Sequence, residues 1–191
     1  MLILDPHCAP GPDGFGGAFY KKCWDIVGPD TCAAIQEFFL SGSLLENLNN
    51  DVLVLNPKVE GACNIGNFRP IVLSNFFFKI ITKILADRLS IIASRIISSN
   101  QFGFIHSRCI HECIATASEV VNNLEKKNRS HNMTIKLDIR KSFNTISWEF
   151  ILAVLKKFGF SKKFRNWILE IFCFAKISTL FNGSPYGFFK C

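Results

Sequence analysis

Asp138 sits near the end of a stretch, Met133-Thr-Ile-Lys-Leu-Asp-Ile139, in which apolar and polar residues alternate. Period-two alternation predicts a strand, with Met133, Ile135, Leu137 and Ile139 on one face and Thr134, Lys136 and Asp138 on the other. A carboxylate at the end of such a strand can project into a cleft while the apolar face stays packed. Ionised, it offers the hard oxygen atoms that divalent cations prefer. Standing alone, it reads more simply as a solvated surface acid, as most Asp residues are. A second cluster, Cys109-Ile-His111-Glu-Cys113, carries softer ligands. On a helix Cys109 and Cys113 share a face while His111 points elsewhere, and no second CxxC or HxxxH completes a tetrahedral zinc set. The eight cysteines are therefore expected as free thiols. Disulfides belong to exported chains, and Met1-Leu-Ile-Leu-Asp5 has neither the basic start nor the long apolar run of an export signal.

The elements that would position these residues follow from pattern. Ala9-Pro-Gly-Pro-Asp-Gly14 is a turn cluster feeding a helix over 15–27, with a second helix from Asp30 to Phe39. Asp51–Asn56 and Arg69–Leu73 read as short strands around a loop that holds Pro57, Gly and Asn residues. Ser74 or Asn75 can cap a long helix to Ile97, whose apolar residues at 77, 80, 81, 84, 85, 89, 92 and 96 recur at helical spacing. Another helix carries Ile110, Cys113, Ile114, Ala117, Val120, Val121 and Leu124 on one stripe. Ser147 caps a helix ending at Gly159, and Ser161 caps the next, with Phe164, Trp167, Ile168, Ile171 and Phe172 aligned as a buried face. Lys176–Phe181, Asn182-Gly183 and Tyr186–Lys190 form a hairpin, in which Pro185 weakens the second strand. The fold class is α+β and rich in helix.

Composition narrows the function. The 191 residues are 49% hydrophobic and 19% charged, with 20 Phe, ordinary globular usage that excludes disordered and fibrous classes. The longest uncharged run, Ile177–Phe189, falls short of the roughly 20 apolar residues of a membrane span, so no membrane partner is expected. Of the net charge of +7, residues 1–60 hold 3 basic and 8 acidic side chains and residues 61–191 hold 19 and 7. An acidic leader followed by a basic block predicts a polyanion-facing surface on the later part, with salt-sensitive binding.

Three further stretches, in order, carry more than composition. Asn67-Phe-Arg69-Pro70-Ile-Val-Leu73 leads into Lys79-Ile-Ile-Thr-Lys-Ile-Leu-Ala-Asp-Arg-Leu89, then Ile97-Ser-Ser-Asn-Gln101-Phe-Gly-Phe-Ile-His-Ser-Arg108, then Lys136-Leu-Asp138-Ile-Arg-Lys141-Ser-Phe143-Asn-Thr-Ile-Ser-Trp148. Together with Pro10-Gly-Pro-Asp-Gly-Phe15 and Asn56-Pro57-Lys58-Val-Glu60-Gly61 they resemble the reverse transcriptase of LINE-type retrotransposons, elements without long terminal repeats, of the kind common in plant genomes. The resemblance implies the helix-rich fingers and truncated palm of a right-hand polymerase. It implies an acidic helical leader with the first strand over 1–60 and the N-terminal part of a reverse transcriptase domain over 61–191. It makes Asp138 the first catalytic metal ligand, beside the backbone carbonyl of Ile139, and Phe143 the aromatic that crowds the ribose 2′ position. Lys58 and Arg69 would grip the incoming triphosphate, and Arg108 would lie near the template. Mg2+ or Mn2+, deoxynucleoside triphosphates, an RNA template and a DNA primer are the implied cofactor, substrates and partners, in the nucleus or cytoplasm of a cell rather than outside it.

The departures shape the expectation equally. The family continues into an Asp-Asp hairpin that completes the metal site, and these 191 residues contain no Asp-Asp pair and no Asp after Asp138. Mg2+ demands near-octahedral oxygen coordination, so one carboxylate and one carbonyl predict a fragment inactive by itself. Asn144 stands where the family has Asp, and His106-Ser107 where it has Pro-Gly. Two other classes stay open: a non-enzymatic nucleic-acid-binding remnant using the basic block, and a protein-interaction module with an exposed, aggregation-prone palm edge.

Overall fold

The computed structural model describes residues 4–106, 108–124, 133–137 and 145–190. They divide into two units. The first comprises 1–84 with 147–191, and the second 85–146.

In the first unit, α1 (Gly17–Lys22) and α2 (Trp24–Ser41) precede β1 (Asn50–Pro57), a single 3-10 turn (Ile65–Asn67) and β2 (Phe68–Leu73). The break between α1 and α2 falls at Cys23 rather than between 27 and 30 as the pattern suggests, and Pro29 lies inside α2. Gly28, just before the proline, packs closely under Trp24: an added Cβ there would stand 2.9 Å from the Trp24 ring. Gly42 ends α2 with φ 80°, its N–H donating to the Phe38 carbonyl over 2.9 Å, the left-handed cap for which glycine carries no steric cost.

A four-stranded mixed sheet, in the order β2-β1-β3-β4, joins this early part to β3 (Lys176–Phe181) and β4 (Ser184–Lys190). β1 pairs antiparallel with β2 and parallel with β3, and β3 pairs antiparallel with β4. Asn182 (φ 49°) and Gly183 (φ 81°) make the expected tight turn. Pro185 is tolerated opposite Leu180 because β4 is an edge strand. Between Ile177 and Thr179 the register slips, and Gly187, at φ 61°, sits in the resulting bulge.

The core gathers Tyr20, Ile35, Phe38, Leu44, Val52, Phe76, Ile80 and Ile81, with Tyr20 stacked on Phe76 at 5.1 Å. Helices α5 (Trp148–Lys157) and α6 (Lys162–Cys173) pack against each other. Ser147 and Ser161 each accept a hydrogen bond from the amide three residues on, as N-caps do. The α6 stripe is half-buried as a packing face: Trp167 meets Phe39 edge-on at 5.0 Å, and Phe172 stacks on Trp148 at 5.3 Å.

α3 (Phe76–Ile96) begins in the first unit and ends in the second, which also holds α4 (Ile110–Leu124). No residue of α4 is buried. The strand expected over 133–139 has no counterpart among the described residues. Met133–Leu137 carry no regular structure, and Met133, Ile135 and Leu137 are exposed. An alternating segment becomes a strand only where a neighbour supplies ladder bonds and cover, and among the described residues these five have neither.

Candidate functional site

Lys58 and Arg69 both lie at the far end of the β1–β2 ladder. Arg69 stands opposite Asn56, and the ladder continues past Pro57 through a bond from the Lys58 amide to the Asn67 carbonyl, 2.8 Å. Strand alternation therefore puts Lys58, two residues beyond Asn56, on the same face as Arg69. The loop between them is fixed locally. Asn64 accepts from the Gly66 amide at 3.1 Å to start the 3-10 turn, and the Lys58 Nζ donates to the Gly66 carbonyl at 2.8 Å. Arg69 is exposed on an edge strand, next to Pro70, whose missing N–H costs nothing there. Two cations on one face of a stiff hairpin can hold a multiply charged anion such as a triphosphate, with the guanidinium fork suited to phosphate oxygens.

A polar clamp anchors the other end of β1. Buried Asn75 accepts from the Asp13 amide and donates to the Leu48 carbonyl, both at 3.2 Å, and the Lys79 Nζ donates to the Ala9 carbonyl at 2.9 Å. Ser74 or Asn75 could cap α3 by sequence, and the Asn75 side chain does not turn onto the helix. Instead its carbonyl opens the helix, accepting from the Lys79 amide at 3.1 Å, while its side chain ties the 9–13 loop to the sheet. No sequence signal distinguishes these two uses of an Asn at a helix start. Beside it, burial pushes the Asp51 carboxyl above its ordinary range, against the opposing pull of a Ser74 hydrogen bond and the Lys79 charge.

Arg108 belongs to the second unit, and its guanidinium is occupied there. Nη1 donates to the carbonyls of Ser98 (2.5 Å) and Gln101 (2.6 Å), and Nη2 to those of Ile97 (3.0 Å) and Ser94 (3.3 Å). The side chain closes the C-terminal end of α3, where helix carbonyls lack partners. Gln101 belongs to the same turn, donating to the Gly103 carbonyl at 3.2 Å. The Cys109–Cys113 cluster differs from its expected layout. α4 starts at Ile110, so Cys109 lies off the helix, and its Sγ comes within 3.3 Å of His111 Nδ1.

Asp138, Ile139 and Phe143 lie outside the described residues, as does Ser107. Among the described residues no three His, Cys, Asp or Glu side chains gather to hold a cation, and the seven described cysteines are free thiols. The described residues therefore do not by themselves assemble a metal site. No helix among them is long and apolar enough to cross a membrane.

Residues 56–190, from the last two residues of β1 to the end of β4, match the reverse transcriptase (RNA-dependent DNA polymerase) family. The chain belongs to that family. It is 26% identical over 184 residues to the transposon TX1 uncharacterized 149 kDa protein of Xenopus laevis, across 96% of this chain and 14% of that protein. It is 22% identical over 164 residues to a retrovirus-related Pol polyprotein from the type-1 retrotransposable element R2 of Nasonia vitripennis, across 86% of this chain and 15% of the relative. Within the family it is thus a LINE-type, non-long-terminal-repeat reverse transcriptase segment, about a seventh of the length of these relatives. Neither relative comes from a plant, and the plant-like character remains an expectation of the sequence.

Proposed function

We propose that this chain is the fingers and partial palm of an RNA-directed DNA polymerase from a LINE-type element. In this reading residues 1–60 are an acidic leader with the first strand, and 61–191 the start of the polymerase domain. The observation that carries the reading is the pairing of Lys58 and Arg69 on one exposed face of the β1–β2 ladder. They would grip the triphosphate of an incoming deoxynucleotide, with Phe143 against its ribose. Asp138 and the Ile139 carbonyl would hold Mg2+ or Mn2+, which supplies charge stabilisation for phosphoryl transfer when bound. Arg108 would lie near the template by resemblance; its four carbonyl contacts support a separate role in holding its own turn.

As a 191-residue polypeptide it is proposed to be inactive, because Asp138 has no Asp-Asp partner pair in the sequence. Primer extension on an RNA template, with Mg2+ or Mn2+ and an Asp138→Ala control, tests this. The expected result is no product above the control. Extension that disappears in the Asp138→Ala protein would refute inactivity. A second reading, a nucleic-acid-binding remnant without catalysis, is favoured by the basic excess of residues 61–191. It predicts RNA binding that survives Asp138→Ala.

A further inference from the structure

Lys156-Lys157-Phe158-Gly159-Phe160-Ser161-Lys162-Lys163-Phe164-Arg165 holds five basic residues and no acid. The fold turns this run into a surface. Lys156 and Lys157 occupy the last turn of α5, and Lys162, Lys163 and Arg165 the first turns of α6, so all five meet at one end of a helical hairpin. The four lysines are exposed. Stability accounts for one half of this arrangement only. Cations at the C-terminus of α5 complement the helix dipole, but cations at the N-terminus of α6, which has no acid in its first turn, oppose it. A bound anion reverses that penalty.

Two aromatic residues flank the charge. Phe158, 47% exposed, stands at the tip between the lysine pairs. Trp167 lines a groove of about 440 Å³ with Lys162, Lys163, Asn166 and the end of α2, and no carboxylate is among its lining residues. The Lys163 Nζ lies 5.5 Å from the Trp167 ring centroid. Basic groups around an exposed ring such as Phe158, beside a half-buried Trp167, suit a single strand, whose phosphates pair with the cations while an unstacked base lies on the exposed ring. A duplex keeps its bases stacked inside and would leave Phe158 unused.

We infer that the α5–α6 tip is a binding surface for single-stranded nucleic acid, separate from the Lys58–Arg69 ladder. The inference rests on the nucleic-acid part of the function proposed above and deepens it by naming the surface. Contacts of this kind go to phosphate and ring faces, so the surface grips a strand without reading its sequence.

The test is fluorescence anisotropy of a labelled 20-nucleotide oligouridylate RNA with the full chain, over a range of salt. Replacing all four lysines by Gln should lower the affinity at least tenfold near 100 mM salt and flatten the log–log salt slope by about 2 to 3, at roughly 0.7 per phosphate contact on a single strand. Replacing them by Arg should retain both. Phe158→Ala should cost about tenfold in affinity with the slope unchanged, since a stacked base releases no counterion. Should the quadruple Gln variant fail to fold, Lys156→Gln and Lys163→Gln alone each test the slope. Unchanged affinity and slope in the Gln variants overturn the inference. So does wild-type binding to phosphatidylserine vesicles but not to the RNA. Binding lost only on changing Lys58 and Arg69 to Gln would overturn this surface and leave the polymerase reading standing.

Discussion

Arg108→Lys separates two uses of one side chain. It keeps the positive charge, so a contact with a template phosphate would largely survive. It removes the planar fork, so the grip on the carbonyls of Ser94, Ile97, Ser98 and Gln101 would not. The four bonds come from a side chain that water can still reach, which puts each at the low end of its range, about 0.5 kcal/mol. Together they are worth about 2 kcal/mol. A lysine ammonium carries its donors on a single nitrogen and reaches two of the carbonyls at most, so Arg108→Lys should lose about 1 kcal/mol and Arg108→Ala about 2 kcal/mol. The loss belongs to the second unit, so native-state hydrogen exchange over 85–124 is the appropriate assay. Protection there should drop about fivefold for Lys and about thirtyfold for Ala. In the same samples the salt slope of RNA binding should be unchanged by Arg108→Lys. Exchange that matches wild type in both variants would refute the structural role.

Further expectations concern the first unit. Asn75→Ala strands the Asp13 amide and the Leu48 carbonyl beside a buried site, and should cost about 2 to 4 kcal/mol in urea unfolding followed by circular dichroism. A loss below half a kcal/mol would show, on the same scale, that water replaces the clamp. Because burial raises the folded-state pKa of Asp51, the stability linked to its neutral form is fully present below the ordinary carboxylate range and is lost as pH rises through the raised value. Asp51→Asn should therefore melt higher than wild type at neutral pH, with the gap closing in acid; a lower Tm at neutral pH would mean that the Ser74 and Lys79 contacts outweigh burial. Ser161→Ala removes the cap on the Phe164 amide and should cost about 1 kcal/mol. Gly183→Ala, at φ 81°, should cost about 1 to 2 kcal/mol, read from the same melts.

Local signals read correctly where they were complete within a few residues. The Asn182-Gly183 turn, the caps at Ser147 and Ser161, and the extents of α3 and α4 needed only short-range sterics and hydrogen bonds. The break expected between 27 and 30 falls instead at Cys23, and Pro29 is accommodated inside α2. The parallel pairing of β1 with β3 and the bulge at Gly187 were not legible, since both are settled by distant partners. Of the site, the family was legible from the order of motifs, while the roles given to Lys58, Arg69, Arg108, Asp138 and Phe143 are proposals that rest on the resemblance. The occupation of Arg108 by carbonyls was invisible, because an arginine before a helix looks the same whether it faces a strand of nucleic acid or the preceding turn.

The parallel pairing also orders events in time. Val52 lies beside Ser178, which is wholly buried, and the entire second unit is synthesised between them. The β1–β2 hairpin can close as soon as Leu73 has emerged, but it must then wait through more than a hundred residues, with one edge of β1 unsatisfied, for its other neighbour. Loop-closure entropy grows slowly with that wait, yet non-local pairing of this kind slows folding and prolongs the exposure of a naked strand edge. A chain arrested on the ribosome before β3 would present that edge to its neighbours, so the rate of translation through 85–175 bears on how much of this protein reaches its native sheet.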